Sequence, residues 1–124
     1  MTKTEQRNLA QLARWEQTYN ENVDAMVDEL YAENCEVTAM FTGTTFHGRE
    51  ALRTLEHRIS SAMPERRLHV VRAIASGDVV AAECTGHFGP TTVNAVVVLT
   101  FDANGQIVSD HTYSPDPTGL STSG

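Results

Sequence analysis

Hydrophobic residues in the first third of the chain recur at helical spacing. Leu9, Leu12, Trp15 and Tyr19 form one stripe of a segment from residue 4 to about 20, which predicts a first helix. Asn20-Glu21-Asn22 interrupts it, and Asn22 suits the N-cap of a second. Val23, Met26, Val27, Leu30 and Tyr31 then fall at i, i+3, i+4, i+7 and i+8, an amphipathic helix. Residues 35–41 read as a short strand, and Thr42-Gly43-Thr44-Thr45 turns the chain back through Phe46. Gly48 precedes a third helix over 49–63, which Pro64 stops by removing a donor and disfavouring helix at Met63.

The period then changes from helix to strand. Segments 67–75, 78–88, 93–101 and 106–114 are separated by Gly77-Asp78, Gly89-Pro90 and Asp102-Ala103-Asn104-Gly105, all with turn chemistry. Helices first and hairpin strands later predict an α+β domain with a mostly antiparallel sheet over residues 1–114. Residues 115–124 read as a flexible C-terminal tail. Segment 93–101 is apolar on both faces, whereas a half-solvated strand should alternate. We therefore expect its outer face to be covered, most simply by a second copy in a homodimer.

Composition narrows the class. The chain has 124 residues, 40% hydrophobic and 20% charged, enough for one domain with a real core. Its net charge of −7, nine basic against sixteen acidic residues, opposes a nucleic-acid binder. Arg66-Arg67, the adjacent basic pair, suits a helix C-terminus. No apolar run suits a membrane span and the start lacks a signal-like segment, so a cytoplasmic location is expected. Cys35 and Cys84 are then a reduced pair. His47, His57, His69, His87 and His111 are dispersed, and no metal or cofactor motif occurs, so we expect neither group. Ser60, Ser61, Thr91 and Thr92 lack a His/Asp partner at a recognisable spacing, so nucleophilic catalysis is unsupported.

Tyr31-Ala32-Glu33-Asn34, Phe46-His47-Gly48-Arg49-Glu50 and Phe101-Asp102-Ala103-Asn104-Gly105-Gln106-Ile107 carry a resemblance. The chain resembles the nuclear-transport-factor-2-like superfamily, which includes ketosteroid isomerases and SnoaL-like polyketide cyclases. The resemblance implies a cone: three helices packed on a curved sheet that encloses an apolar pocket. Ketosteroid isomerases set an Asp base opposite a tyrosine and a protonated aspartate. The matching positions here are Ala39 for the base, Trp15 for the tyrosine and Val97 for the protonated acid. Alanine and valine cannot move protons, so that mechanism is excluded. A second pocket tyrosine of the isomerases matches Tyr31, and Asp110 falls where the last strand lines the cavity. The acidic residue of SnoaL-like cyclases matches Thr112, which shares a strand face with Asp110.

Asp110 is the first catalytic candidate. The odd and even sets of its strand have similar polarity, and only the resemblance favours Asp110 and Thr112 inward. A carboxyl group in an apolar cavity has its pKa raised towards the range useful for proton transfer. Glu56 is the second candidate. It lies on the stripe of Leu52, Ile59 and Met63, while Arg53, His57 and Ser61 point away. A plainer role is a pairing with Arg53 or Ser60 at the stripe edge.

Trp15, Tyr19, Tyr31, Ala39, Phe41, Val97 and Thr112 would shape the site. For segment 78–88, the ungapped family pattern turns the odd residues inward, whereas the hydrophobic pattern turns Val80, Ala82, Cys84 and Phe88 inward. We follow the hydrophobic pattern, because the other choice buries Glu83 and turns His87 inward. The expected function is cofactor-free acid/base chemistry on a small hydrophobic molecule. The alternatives are a non-catalytic binding protein and a dimerisation module with a vestigial pocket.

Overall fold

A computed structural model describes residues 1–115, and the expected tail beyond them lies outside the described residues. Helix α1 (Lys3–Glu21) leads into α2 (Val23–Leu30), β1 (Tyr31–Ala39), β2 (Thr44–His47) and α3 (Arg49–Ala62). Strands β3 (Arg67–Ser76), β4 (Val79–Phe88), β5 (Thr91–Phe101) and β6 (Ile107–Tyr113) complete one six-stranded sheet in the order β2-β1-β6-β5-β4-β3. Every pairing is antiparallel except β1 with β6. The expected α+β cone, three helices on a curved sheet, is what the chain forms. No helix of the described residues is long and apolar enough to cross a membrane.

Local chemistry explains the helix boundaries. Thr2 and Glu5 form a reciprocal capping box at the start of α1. Asn22 closes α1 by donating its N–H to Thr18 O at 2.7 Å, and its side chain caps α2 by accepting from Ala25 N at 3.1 Å. Two boundaries differ from the sequence reading. Tyr31 leaves the helical stripe and opens β1, its backbone extended at ψ 138°. Residues 44–47 form a strand against β1, where the reading had a turn. In both places, pairing across the sheet overrides local preference.

Helix α1 lies along β3, the sheet's outer edge. Glu16 Oε2 accepts from Val70 N at 3.1 Å, while Asn20 both accepts from Leu68 N and donates to Leu68 O at 2.8 Å. These bonds satisfy edge groups that would otherwise recruit another strand. The core between helices and sheet is built from Leu12, Met26, Val27, Leu30, Leu52, Val80 and Leu99, among others.

In β4 the even set faces inward, with Val80, Ala82 and Cys84 buried and His87 exposed, as the hydrophobic pattern required. In β6 the parity changes: Ile107 is buried, and so is Asp110. Phe101 pairs with Ile107 and Thr100 with Ser109, so Val108 is the extra residue of a bulge. Strict alternation would put Val108 on the same face as Asp110; the bulge breaks that alternation, and Ile107 is buried instead. Outward-facing Val71 (54% exposed), Ile74 (66% exposed), Val96 and Tyr113 leave an apolar patch on the far side of the sheet.

The His47-Gly48-Arg49 segment is a brace. Gly48 N–H donates to Cys35 O at 2.7 Å, and Arg49 Nε donates to Tyr31 O at 2.8 Å, tying α3 to β1. Gly48 adopts φ 86°, ψ 164°, a conformation almost confined to glycine. Gly48→Ala is expected to lower the unfolding free energy by about 1–3 kcal/mol in a denaturant titration. A midpoint and slope equal to those of the parent chain would show that this turn is not strained.

Candidate active site

The concave face of the sheet, α1 and α3 enclose a cavity of about 640 Å³. That volume lies within the range of about 300–1,000 Å³ typical of small-ligand sites. Trp15, Tyr19, Tyr31, Ala39, Phe41, Val97 and Thr112 all line it, together with Glu56 and Asp110. The positions aligned with the isomerases' catalytic groups therefore do converge, but as tryptophan, alanine and valine. Thr112 pairs with Ala39 on one side and Val97 on the other, which sets these positions in one row across β1, β6 and β5. Phe88 also lines the cavity, its ring lying over Gly86, where a Cβ would fall only 2.5 Å from the ring.

Asp110 is 3% exposed and flanked on the sheet by Val37 and Leu99. Its Oδ2 accepts from Tyr31 Oη at 2.7 Å, and its Oδ1 accepts from Thr112 Oγ1 at 2.8 Å. Trp15 Nε1 donates to Tyr31 Oη at 3.0 Å, completing a buried chain from indole to phenol to carboxylate. Burial raises the Asp110 pKa, against the opposing pull of the Tyr31 and Thr112 hydrogen bonds and of His111. The Tyr31 phenol is held well above its usual range, by burial first and then by the neighbouring Asp110. Tyr31 therefore remains a donor.

Glu56 is 8% exposed and differs from Asp110 in its surroundings. Its Oε2 has no hydrogen-bond partner among the described residues. The anticipated partners are engaged elsewhere. Arg53 binds Asp24, Asp28 and Glu50, while the Ser60 hydroxyl donates to the Glu56 backbone carbonyl. Burial pushes the Glu56 carboxyl up to about 7, with the nearby Asp110 adding and Arg66 opposing. The cavity thus holds one carboxyl group with a hydrogen bond on each oxygen and one whose Oε2 has none.

Arg66 is the residue that sequence reasoning missed. It is 6% exposed, with its guanidinium 4.6 Å from the centre of the Tyr19 ring and Nη2 donating to Tyr19 O at 3.0 Å. The sequence places it, with Arg67, only at a helix end, where positive charge suits the macrodipole. No periodicity marks it, and the only signal was the demand of an inward Glu56 for a nearby positive field. Cys84 also lines the cavity, but burial raises its thiol to about 11, which keeps it protonated and unreactive near neutrality. Among the described residues no group of three or more His, Cys, Asp or Glu side chains could hold a metal ion.

Comparison with known proteins identifies the class. The SnoaL-like domain family matches residues 12–110, and the chain belongs to that family. No curated protein sequence matches it. Among solved structures it is similar to SalBIII, described as an epoxide hydrolase/cyclase-like enzyme with a role in pyran ring formation in the polyether salinomycin. The identity is 26% over 90% of this chain and 92% of that one, with a TM-score of 0.78. An NTF2-like protein of Burkholderia xenovorans superposes with a TM-score of 0.80 at 19% identity, covering 94% of this chain and 88% of that one. A structure described as a SnoaL-like polyketide cyclase of Jannaschia gives a TM-score of 0.78 at 17% identity, covering 98% and 94%.

The buried carboxyls predict an inverted pH dependence of stability. A carboxyl whose folded pKa lies above its ordinary value of 4.5, as Glu56 does at about 7, keeps its proton longer in the folded state. Its contribution is present below that window and is lost as pH rises through it, on the order of 3 kcal/mol on full ionisation. Stability measured by denaturation from about pH 5 to about pH 8 is expected to fall less steeply in Glu56→Gln than in the parent chain. Identical slopes would show that Glu56 ionises in water.

Proposed function

We propose that this protein is a cofactor-free acid/base enzyme of the isomerase, cyclase or dehydratase type, acting on a small hydrophobic molecule held in the cavity. One observation carries the reading: Asp110, braced by Tyr31 and Thr112, shares an apolar chamber with the unpaired Glu56. Each of these reaction types removes one proton and delivers another. Asp110, whose ionised form accepts two fixed hydrogen bonds, serves as the base. Glu56, titrating near neutrality, exchanges the second proton. Trp15 and Tyr31 set the height of the Asp110 carboxylate, while Ala39, Phe41 and Val97 shape the apolar walls.

The likeness to SalBIII supports a ring-forming member of this class. The size of the cavity counts against a vestigial pocket. The reading also includes a homodimer, with a second copy covering Val71, Ile74, Val96 and Tyr113 on the outer face. The buried free thiols of Cys35 and Cys84 suit a cytoplasmic location.

Asp110→Asn is expected to reduce turnover by roughly 10²–10⁴ while leaving ligand binding near its parent value. Tyr31→Phe removes a hydrogen bond that favours the ionised carboxyl, so the acidic limb of the pH–rate profile should move to higher pH. Unchanged turnover in Asp110→Asn would leave only ligand binding. For the dimer, sedimentation equilibrium should give twice the chain mass of 13.6 kDa, and Val96→Lys should lower it towards one chain. A single-chain mass for the parent protein would remove the dimer.

A further inference from the structure

The two carboxyl groups of the cavity are not equivalent as ligand contacts. Both oxygens of Asp110 are already engaged by Tyr31 and Thr112. Glu56 is more than nine-tenths buried, lines the same cavity, and has Oε2 without a partner among the described residues. A buried acceptor in an apolar wall is disfavoured unless something supplies a donor. Arg53 is bound to three carboxylates and Ser60 to a backbone carbonyl, while Arg66 donates Nη2 to Tyr19 O, keeps Nε without a partner among the described residues and makes no hydrogen bond to Glu56. A donor group on a molecule that enters the cavity can supply the missing bond.

We propose that Glu56 anchors a hydrogen-bond donor on the ligand, a hydroxyl or an ammonium group, so that the cavity selects neutral or cationic molecules over carboxylates. This rests on reading the cavity as the substrate site. Charge argues in the same direction. The ionisable groups around Glu56 are Asp110 of β6, Tyr31 of β1, Tyr19 of α1, Arg58 of its own helix and Arg66 just before β3. Arg66 stacks on the Tyr19 ring, donates Nη2 to its carbonyl and does not line the cavity, and Arg58 is exposed at the rim. An anionic ligand head would meet two carboxyl groups with no buried cation facing it. An alcohol can donate to Glu56 in either protonation state, because a carboxylic acid keeps acceptor capacity. An ammonium group gains most when Glu56 is ionised.

The test uses three probes that share one ring system: naphthylmethylamine, naphthylmethanol and naphthoate. Each is titrated by calorimetry into the full chain at about pH 6 and about pH 8, either side of the Glu56 transition. The amine and the alcohol are expected to bind at least about tenfold more tightly than naphthoate at the higher pH. The amine's advantage should grow between the two pH values, while that of the alcohol stays nearly level. In Glu56→Gln, a near-isosteric change, the amine-to-naphthoate ratio should fall about tenfold, whereas Asp110→Asn should lower it by a smaller factor.

Naphthoate binding as tightly as the amine, no binding of amine and alcohol, or an unchanged ratio in Glu56→Gln would each overturn the inference. Loss of the ratio in Asp110→Asn alone would move the anchor to Asp110 and overturn it likewise. The acid/base reading is judged separately, by the turnover of Asp110→Asn, so the two can fail independently.

Discussion

The hydrogen bond from the Tyr31 phenol to the Asp110 carboxylate is the point on which this architecture turns. It joins the first residue of β1 to the inner face of β6, residues 79 positions apart in the chain, at 2.7 Å inside the cone. The seam between those two strands is the one parallel pairing of the sheet; one register shift lies within it and another in the adjoining β5–β6 pairing. The irregularities have a consequence: they change the side-chain parity of β6 so that Asp110, rather than Ser109 or His111, faces the cavity. Without the phenol, Thr112 alone would offset the loss of hydration at Asp110. With it, a charge-bearing group is held in an apolar wall at a defined height.

Stability and chemistry therefore pull against each other in this chamber. Two carboxyl groups occupy a site that disfavours ionisation, and the protein treats them differently. Asp110 accepts from two neutral donors, of which Tyr31 is itself held by Trp15. Glu56 meets a diffuse positive field from Arg66 and no direct donor. Similar functional groups acquire different acidities through their surroundings, the usual requirement for removing a proton at one point and returning it at another. The rest of the fold walls this chamber: α1 along the β3 edge, α3 braced to β1 through Gly48 and Arg49, and the aromatic residues of α1 and β4.

Much of the framework could be read from side-chain periodicity. The stripes of α1 and α3, the proline stop after Met63 and the turn residues between strands located the elements. The alternation of Val80, Ala82 and Cys84 oriented β4 correctly where an ungapped family pattern would have turned it over. Glu56 stood out for the same reason, as an acid on an apolar stripe. The readings that failed share a cause. Tyr31 extended a good helical stripe by one residue, yet its backbone is extended and its phenol is claimed by a strand far away in sequence. Residues 44–47 carry turn-like composition but find a partner in β1.

The order of hydrophobic and polar residues was sufficient for the α+β class, for most element boundaries and for the choice of Glu56, because burial on one face imposes a period that local sequence must obey. Asp110 came from the family resemblance, since the two faces of its strand are similarly polar. The hydrogen-bond chain through Trp15, Tyr31 and Asp110, the bulge at Val108, the buried Arg66 and the open valence on Glu56 came from assembly alone. Each depends on contacts between segments distant in the chain, or on a one-residue register change that leaves no periodic trace. Register and long-range pairing are settled by the sum of packing across the whole sheet, and no local stretch of residues encodes that sum.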